Sequence, residues 1–325
     1  MLNIDDIQFI REMAGCYYDT KGHKYDGHLR YLDISGATLT NTDNKEVSIY
    51  PRDPSEYEGT PWPSAEAYIN DNGTPVAIFA YLYDMEEIIL PAKLKSIGDD
   101  MLIFCQSLKS LNIPESVQEI GLRSFLGCSS LKSMKLPIGI TEIKSGLLSG
   151  CTNLTSIDIP YTTEEIGHNA FRNCTSLKSI ELPYSLNNMG ISVFYGCTAL
   201  TSVTIPKNIR YISDYTFSGC NSLKSIYALN PQGIGIKGKP FEEYTQSQCT
   251  LYVPEGSMYK YKYWEEWNAF NHIVEFSPTG INGVHAAAER REVESYDTSG
   301  RRLTSPTKGL NIVRFNDGTT RKVMK

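Results

Sequence analysis

Hydrophobic and polar positions in the middle of the chain recur with a fixed period. Between residues 85 and 228, each unit of 23 residues reads approximately I-G-x-x-x-F-x-G-C-x-x-L-K-S-I-x-I-P. The repeated cysteines are Cys105, Cys128, Cys151, Cys174, Cys197 and Cys220. A leucine follows each cysteine by three positions, a serine follows that leucine by two, and prolines keep the same step from Pro91 to Pro206. Several residue types that share one period predict tandem structural repeats.

The two halves of each unit predict different local structures. The L-x-x-I-x-I half alternates like a short strand, and its closing proline cannot donate to a strand ladder. Strands are predicted near residues 85–90, 108–113, 131–136, 154–159, 177–182, 200–205 and 223–228. The half between them, such as Ile120 to Cys128, is too short for more than one helical turn. One unit cannot bury its own apolar side, but stacked units can, as a parallel sheet with strands about 4.8 Å apart.

This frame resembles the BspA-type leucine-rich repeat, a 23-residue variant found on surface proteins of Bacteroidetes and some other microbes. The resemblance covers residues 85–228 and implies an α/β fold: a leucine-rich-repeat solenoid with a parallel β-sheet and short helical or irregular segments. The frame extends back to Met85, Ile88 and Leu90, with Leu82 in the cysteine position and Phe79 in the apolar position between strands.

The sequence on the amino-terminal side suggests a cap with an insertion over residues 1–84. Leu29, Leu32 and Ile34 repeat the L-x-x-L-x-I spacing, and the segment from Ile10 to Gly15 resembles the family's capping region. Residues 41–75 depart from the frame and are rich in proline and glycine, which predicts an irregular insertion.

The sequence on the carboxy-terminal side suggests a second cap over residues 229–276. Pro254 follows Pro206 by 48 residues, so the 23-residue frame slips there. Residues 249–276 resemble a common cap of this family, with a strand, an aromatic helix and a closing strand. A terminal unit must cover the last apolar edge, and five aromatic residues are expected to do so: Tyr259, Tyr263, Trp264, Trp267 and Phe270.

Residues 277–325 are predicted to form a linker and a small all-β carboxy-terminal domain. Ser277 to Gly280 is the linker candidate, and three strand-like runs follow, separated by turns at Ser299–Gly300 and Asn316–Gly318. The Y-D-x-x-G-R and K-G-x-x-I-V segments resemble the sorting domain of secreted Bacteroidetes proteins. That resemblance implies export and an extracellular or cell-surface location.

Composition and charge narrow the possible functions. Hydrophobic residues make up 41% of the chain and charged residues 21%, as in globular proteins. The longest apolar run, Val76 to Tyr83, is far shorter than the ~20 residues that cross a bilayer, so no membrane-spanning segment is expected. No basic, apolar leader opens the sequence, and a signal peptide is expected to have been removed. The net charge of −6 and the lack of a long Lys/Arg run argue against a nucleic-acid partner.

No residue pattern indicates catalysis, a cofactor or a metal. The sequence contains no GxSxG, HExxH, P-loop or GxGxxG motif. The cysteine column predicts free buried thiols rather than disulfides or a zinc cluster, and Cys16 and Cys249 are not expected to pair. His23 and His28 could bind a metal beside Asp19 and Asp26, but a solvated loop is favoured. Trp62 could stack on a sugar or plug an edge of the solenoid, and the plug is favoured.

The function therefore rests on the solenoid surface. The expected role is a non-enzymatic binding module for a protein or host glycoprotein ligand, through interaction or adhesion; a structural spacer or a carbohydrate-binding module are the alternatives. Outward positions that vary between units are the candidate partner-binding residues: Ile138, Asp158, Tyr161, Glu181, Tyr184 and Tyr227. The tyrosine rings could instead pack along the solenoid edge, covering the turn after each proline.

Overall fold

The computed structural model describes residues 4–14, 28–39, 47–49, 65–69, 74–277, 292–296, 302–303, 310–315 and 320–324. The predicted features at Cys16, His23, Trp62 and the two carboxy-terminal turns lie outside these residues. The amino-terminal elements are α1 (Ile4–Met13), β1 (Tyr31–Asp33), β2 (Val47–Ile49), β3 (Ala65–Ile69) and β4 (Pro75–Val76).

Residues 85–236 form a continuous stack of coils, with two short strands in each coil. In chain order the strands are β5 (Glu87–Ile89), β6 (Ser96–Ile97), β7 (Ser110–Asn112), β8 (Glu119–Ile120), β9 (Ser133–Lys135), β10 (Glu142–Ile143), β11 (Ser156–Asp158), β12 (Glu165–Ile166), β13 (Ser179–Ile180), β14 (Asn188–Met189), β15 (Ser202–Ile205), β16 (Tyr211–Ile212), β17 (Ser225–Ala228) and β18 (Gly235–Ile236). All seven predicted strands are confirmed as the odd-numbered members of this series, and their pairing is parallel.

The odd-numbered strands form the predicted sheet with a 23-residue register, in which Ser156 lies opposite Ser133 and Ser202 opposite Ser179. The hydrogen-bonded ladder falls into three groups: β1-β5-β7, β9-β11, and β13-β15-β17 continuing into the carboxy-terminal strands. We expected one continuous sheet, but each strand has only two to four residues before its proline, so few ladder hydrogen bonds form.

The even-numbered strands form a second parallel series that the sequence analysis did not predict. They pair as β6-β8, β10-β12-β14 and β16-β18, again between equivalent residues of successive coils. Each has two residues, and in all of them except β18 the second residue is buried, as in Glu165–Ile166. A two-residue strand shows no alternation long enough to be recognised from sequence.

Turns complete each coil, and residues 85–228, all of which are described, contain no helix. The turn backbones bond directly to the next coil: the Phe125 N–H donates to Leu147 O at 3.1 Å, and the Gly127 N–H to Ser149 O at 2.7 Å. Phenylalanines in the coil centre stack on one another, with ring centroids 5.6 Å apart for Phe171 and Phe194. Main-chain pairing and ring stacking therefore take the place of the short helices that the resemblance allowed.

The amino-terminal segment joins the same sheet. β1 pairs in parallel with β5, so that Leu32 lies opposite Ile88, although the 41–75 segment separates them in sequence. Within that segment, β2, β3 and β4 pair in antiparallel fashion. The α1 residue Arg11 is buried and its guanidinium donates to Ala80 O at 2.7 Å, which fixes the helix over the first coil.

The carboxy-terminal end of the stack consists of α2 (Glu243–Gln248), β19 (Thr250–Pro254), α3 (Met258–Lys262), α4 (Glu265–Asn268) and β20 (His272–Phe276). Both strands extend the odd-numbered sheet in parallel. Trp267 and Phe270 are buried against Phe241, as expected, and Trp264 is partly buried. The expectation was wrong for Tyr259 and Tyr263, which are 70% and 82% exposed.

Tyr261 takes the place that we expected those two rings to fill. It is fully buried, and its hydroxyl donates to Asn230 O at 2.7 Å and to Ala228 O at 3.2 Å. Because helix neighbours one or two positions apart point in different directions, only the middle tyrosine of this run faces the stack.

The described residues beyond residue 277 form four strands. They are β21 (Glu292–Tyr296), β22 (Arg302–Leu303), β23 (Leu310–Phe315) and β24 (Thr320–Met324), and they pair in antiparallel fashion in the order β22-β21-β23-β24. The first of the three predicted runs divides into two strands, β21 and β22, which form a hairpin.

Candidate functional site

The outer face of the odd-numbered sheet presents three rows of side chains. In β7, β9 and β11 the central residue is buried or half-buried, whereas its two neighbours are exposed, because strand side chains alternate between faces. The serine row is nearly uniform, and the row before it is mainly lysine. The row two residues after the serine varies in size, charge and polarity: Asn112, Lys135, Asp158, Glu181, Thr204 and Tyr227.

Four of these strands line an open groove. Its volume is about 550 Å³, and its lining runs across β5, β7, β9 and β11 from Glu87 to Asp158. Asp158 lies directly opposite Lys135 in the parallel register, so charges of both signs meet at one end of the groove. The groove can hold an extended segment of a partner, with the variable row deciding which segment fits.

The predicted partner-binding residues divide into two sets by position. Asp158 and Glu181 are exposed on the strand face, where Tyr227 is half-buried. Ile138, Tyr161 and Tyr184 instead lie in the turns after the prolines, where Ile138 is 43% exposed and both tyrosines are half-buried.

An aromatic stack that includes Tyr227 ends the variable row. The Tyr227 ring stacks on Tyr252 of β19 with centroids 4.5 Å apart and planes 11° apart, and it meets the Phe276 ring edge-on at 6.0 Å. Burial raises the pKa of the Tyr227 hydroxyl, so the ring is neutral at physiological pH. Tyr252 was missed because the proline spacing slips here. Aligning the segment Leu251 to Pro254 on I-x-I-P would have placed Tyr252 in the variable row.

Ion pairs between successive coils lie on the amino-terminal half of this face. Lys109 donates to the Glu86 carboxylate in the coil before it, which lowers the pKa of Glu86. Lys135 pairs with Glu115 at 2.8 Å. Exposed pairs of this kind contribute little to stability, so these side chains can instead pair with charges on a partner.

The cysteine column lies inside the stack. All six thiols are buried and unbridged, which confirms the predicted burial, and Cys249 is buried too. Each of the six column thiols donates to a backbone carbonyl 26 residues earlier, for example Cys174 Sγ to Leu148 O at 3.2 Å. Burial raises the pKa of Cys128 and Cys174 to about 12, so neither is a thiolate nucleophile at neutral pH.

Other chemistry-bearing side chains are dispersed. Within the described ranges, no three His, Cys, Asp or Glu residues are grouped so as to hold a metal ion. His28 contacts Asp84, with Nδ1 3.1 Å from Oδ2, while Asp19 and Asp26 lie outside the described residues. None of the described helices is long and apolar enough to span a membrane.

Comparison with known proteins agrees with the repeat geometry. A family model described as the BspA type leucine-rich repeat region matches residues 75–197 and 141–257, in six copies. No curated protein matches the chain significantly.

Three solved structures illustrate the similarity. A leucine-rich repeat protein from Bacteroides ovatus ATCC 8483 is 25% identical, with a TM-score of 0.41; the match covers 61% of this chain and 62% of that one, which is less than two thirds of its length. The T. pallidum leucine-rich repeat protein is 23% identical over 55% of this chain and 85% of that one, with a TM-score of 0.37. A leucine rich cell surface protein from Faecalibacterium prausnitzii A2-165 is 18% identical over 81% and 74%, with a TM-score of 0.42.

The matched residues include every coil from β5 to β18, and the family model covers more than half of the chain. The chain therefore belongs to the BspA-type leucine-rich repeat family.

Proposed function

We propose that this protein is a non-enzymatic binding module that is displayed outside the cell and holds a protein or glycoprotein partner on the strand face of its solenoid. The observation that carries the proposal is the open groove across β5 to β11, bordered by a row of side chains that differ from coil to coil. The backbone beneath that row is repetitive and paired between coils, so the row can change without altering the frame.

Chemical variety supports recognition rather than simple spacing. From Lys135 to Tyr252 the variable row contains a basic residue, two acidic residues, a threonine and then two stacked tyrosines. Aromatic residues supply much of the energy at protein interfaces, and charges supply orientation and selectivity. A protein that acts only as a structural spacer would need neither aromatic residues nor charges of both signs on its exposed sheet.

Export is part of the same proposal. It is supported by the resemblance of residues 277–325 to a Bacteroidetes sorting domain, and a binding module of this kind meets host proteins only outside the cell. The test is surface labelling of intact cells that produce the chain with and without those residues. Equal surface labelling of both forms would remove the sorting role.

A charge-inversion pair tests the binding face. Asp158 and Glu165 are both exposed carboxylates, one on the odd-numbered sheet and the other on the even-numbered strands. The chain is first screened against purified secreted host proteins, and Kd for any ligand found is then measured by biolayer interferometry. Asp158→Lys should weaken binding at least tenfold, whereas Glu165→Lys should leave Kd unchanged. Equal effects of the two inversions would refute a strand-face site.

The turn tyrosines require a separate experiment. Tyr161→Ala combined with Tyr184→Ala should weaken the same ligand by at least ~2 kcal/mol if these rings are anchors. Unchanged affinity with intact folding would move the site away from them. A large fall in melting temperature would show instead that the rings pack along the solenoid edge.

A further inference from the structure

A slot on the turn side of the solenoid arises from one coil with small outward residues. In the coil of residues 144–150, three outward positions hold Ser145, Gly146 and Ser149. The coil before it carries Leu122, Arg123 and Leu126 at the equivalent positions, and the coil after it carries His168, Asn169 and Arg172. These nine residues line an open slot of about 510 Å³, within the range of small-ligand pockets.

Gly146 opens the middle of this slot. It has φ +69°, in a column where other coils hold Arg123 at 53°, Asn169 at 56° and Tyr215 at 56°. Since residues with side chains adopt the same left-handed conformation in neighbouring coils, the backbone does not by itself demand glycine here. A Cβ added at Gly146 would lie 3.0 Å from Arg123 Cγ, so a larger residue would fill the slot.

The wall on the amino-terminal side is largely apolar. Leu122 and Leu126 contribute aliphatic surface, and Arg123 contributes its stem. The Arg123 guanidinium forms a two-pronged pair with Asp100, with Nε 2.8 Å from Oδ1 and Nη2 2.7 Å from Oδ2. That hydrogen-bonded pair raises the pKa of Arg123 and cancels much of its charge.

The opposite wall supplies hydrogen-bond donors. The Arg172 guanidinium lies over the Tyr195 ring, 4.3 Å from its centroid, and it forms no ion pair with any carboxylate in the described part of the chain. His168 Nδ1 accepts the Ile191 N–H at 2.8 Å, so the neutral ring carries its proton on Nε2 and can donate there. No acidic residue lines the slot.

We propose that this slot binds a sugar residue that carries a carboxylate or a sulfate. Leu122 and Leu126 would pack against the C–H face of the ring, and the Ser145 and Ser149 hydroxyls would bond to sugar hydroxyls. Arg172 would bind the anionic group, because a planar guanidinium matches both carboxylate and sulfate oxygens. The site lies on the turns and not on the strand face, so it is independent of the protein-binding groove.

The binding test uses three probes and the whole chain. Saturation-transfer NMR is recorded with sialyllactose as the carboxylate probe, galactose 6-sulfate as the sulfate probe and lactose as the neutral probe. At least one anionic probe should bind at least tenfold more tightly than lactose, and the stronger of the two identifies the anion. Failure of both anionic probes to exceed lactose would overturn the proposal.

Slot-filling variants test the location. Gly146→Asn should lower the affinity of the anionic probe at least tenfold, while Tyr215→Asn introduces the same residue at the exposed, equivalent position three coils away and should not change it. Ser149→Leu installs the residue type that the preceding coil has at Leu126, and it replaces Gly146→Asn if that variant fails to fold. Undiminished binding by the folded filled variants would place the sugar elsewhere and refute the slot.

A charge variant and a peptide probe complete the test. Arg172→Gln should lower the affinity for the anionic probe at least tenfold and leave the weak lactose signal unchanged. The acidic peptide acetyl-Glu-Leu-Glu-amide should not displace the sugar at equal concentration; displacement would assign the slot to a protein partner. Asp158→Lys, which tests the strand face, should not alter sugar binding, so failure of one site is distinguishable from failure of the other.

Discussion

Replacing one thiol in the middle of the column should separate its packing from its hydrogen bond. Cys174 is fully buried and its Sγ donates to Leu148 O at 3.2 Å, a carbonyl that also accepts the Cys151 N–H at 3.1 Å. Cys174→Ala removes an atom of about methylene size or larger and leaves a small cavity, which costs about 1–1.5 kcal/mol. It also removes one of the two donors to Leu148 O, a further ~0.5–1 kcal/mol.

We therefore expect Cys174→Ala to lower the free energy of unfolding by about 2 kcal/mol. Cys174→Val refills the volume but lacks the donor, and it should cost about 1 kcal/mol. The assay is urea unfolding followed by far-UV circular dichroism in the presence of a reductant, with the m-value compared between variants because repeat arrays can lose cooperativity.

The matched surface control is Thr198→Ala, at an exposed position that directly follows the next cysteine of the column. It should stay within about 0.5 kcal/mol of the unmodified chain. If Cys174→Val proves as stable as the unmodified chain, the thiol acts by volume alone and the hydrogen-bond interpretation is wrong. If Cys174→Ala costs nothing, the packing interpretation fails as well.

Two further predictions follow from burial. Burial raises the pKa of Cys128 and Cys174 to about 12 in the folded chain, whereas in the unfolded chain these thiols have the usual, lower pKa and lose their protons at lower pH. The free energy of unfolding should therefore fall as the pH rises from about 9 towards 12. Unchanged stability across that window in urea titrations at several pH values would contradict the assignment of buried neutral thiols. Tyr261→Phe should lower the free energy of unfolding by about 1–2 kcal/mol, since it removes the hydroxyl that donates to the Ala228 and Asn230 carbonyls. The control Tyr263→Phe, at a position that is 82% exposed, should change it by no more than about 0.5 kcal/mol. Similar melting temperatures for the two variants would refute the role given to Tyr261.

The strand face was predictable because its positions repeat in sequence. The alternation in segments such as Leu154 to Ile159 shows which side chains point outward, and the row containing Asp158 and Glu181 followed from it. Tyr252 escaped because the two-residue slip before Pro254 conceals the frame. The slot at Gly146 was not predicted for a different reason. It consists of small side chains in one coil between larger side chains in the coils before and after it, and this gap is visible only when the coils are stacked.

The carboxy-terminal cap was also only partly predictable from its sequence. Its aromatic content indicated that rings cover the last coil, yet pattern alone did not distinguish Tyr261 from Tyr259 and Tyr263, whose exposures differ from 0% to 82%. The direction in which each ring points depends on where the short helix begins and how it meets the stack, and Asn230 O supplies the hydroxyl's acceptor from a distant turn.

By itself, the sequence determined the period, the parallel sheet and the buried thiol column, because each depends on a local pattern that recurs every 23 residues. Only the tertiary structure decided the second series of strands, the three-part division of the first sheet and the joining of Leu32 to Ile88 across the insertion. These features depend on which backbone groups of successive coils meet, and two-residue strands such as Glu165–Ile166 are too short to pair stably unless the core beneath them holds the coils together.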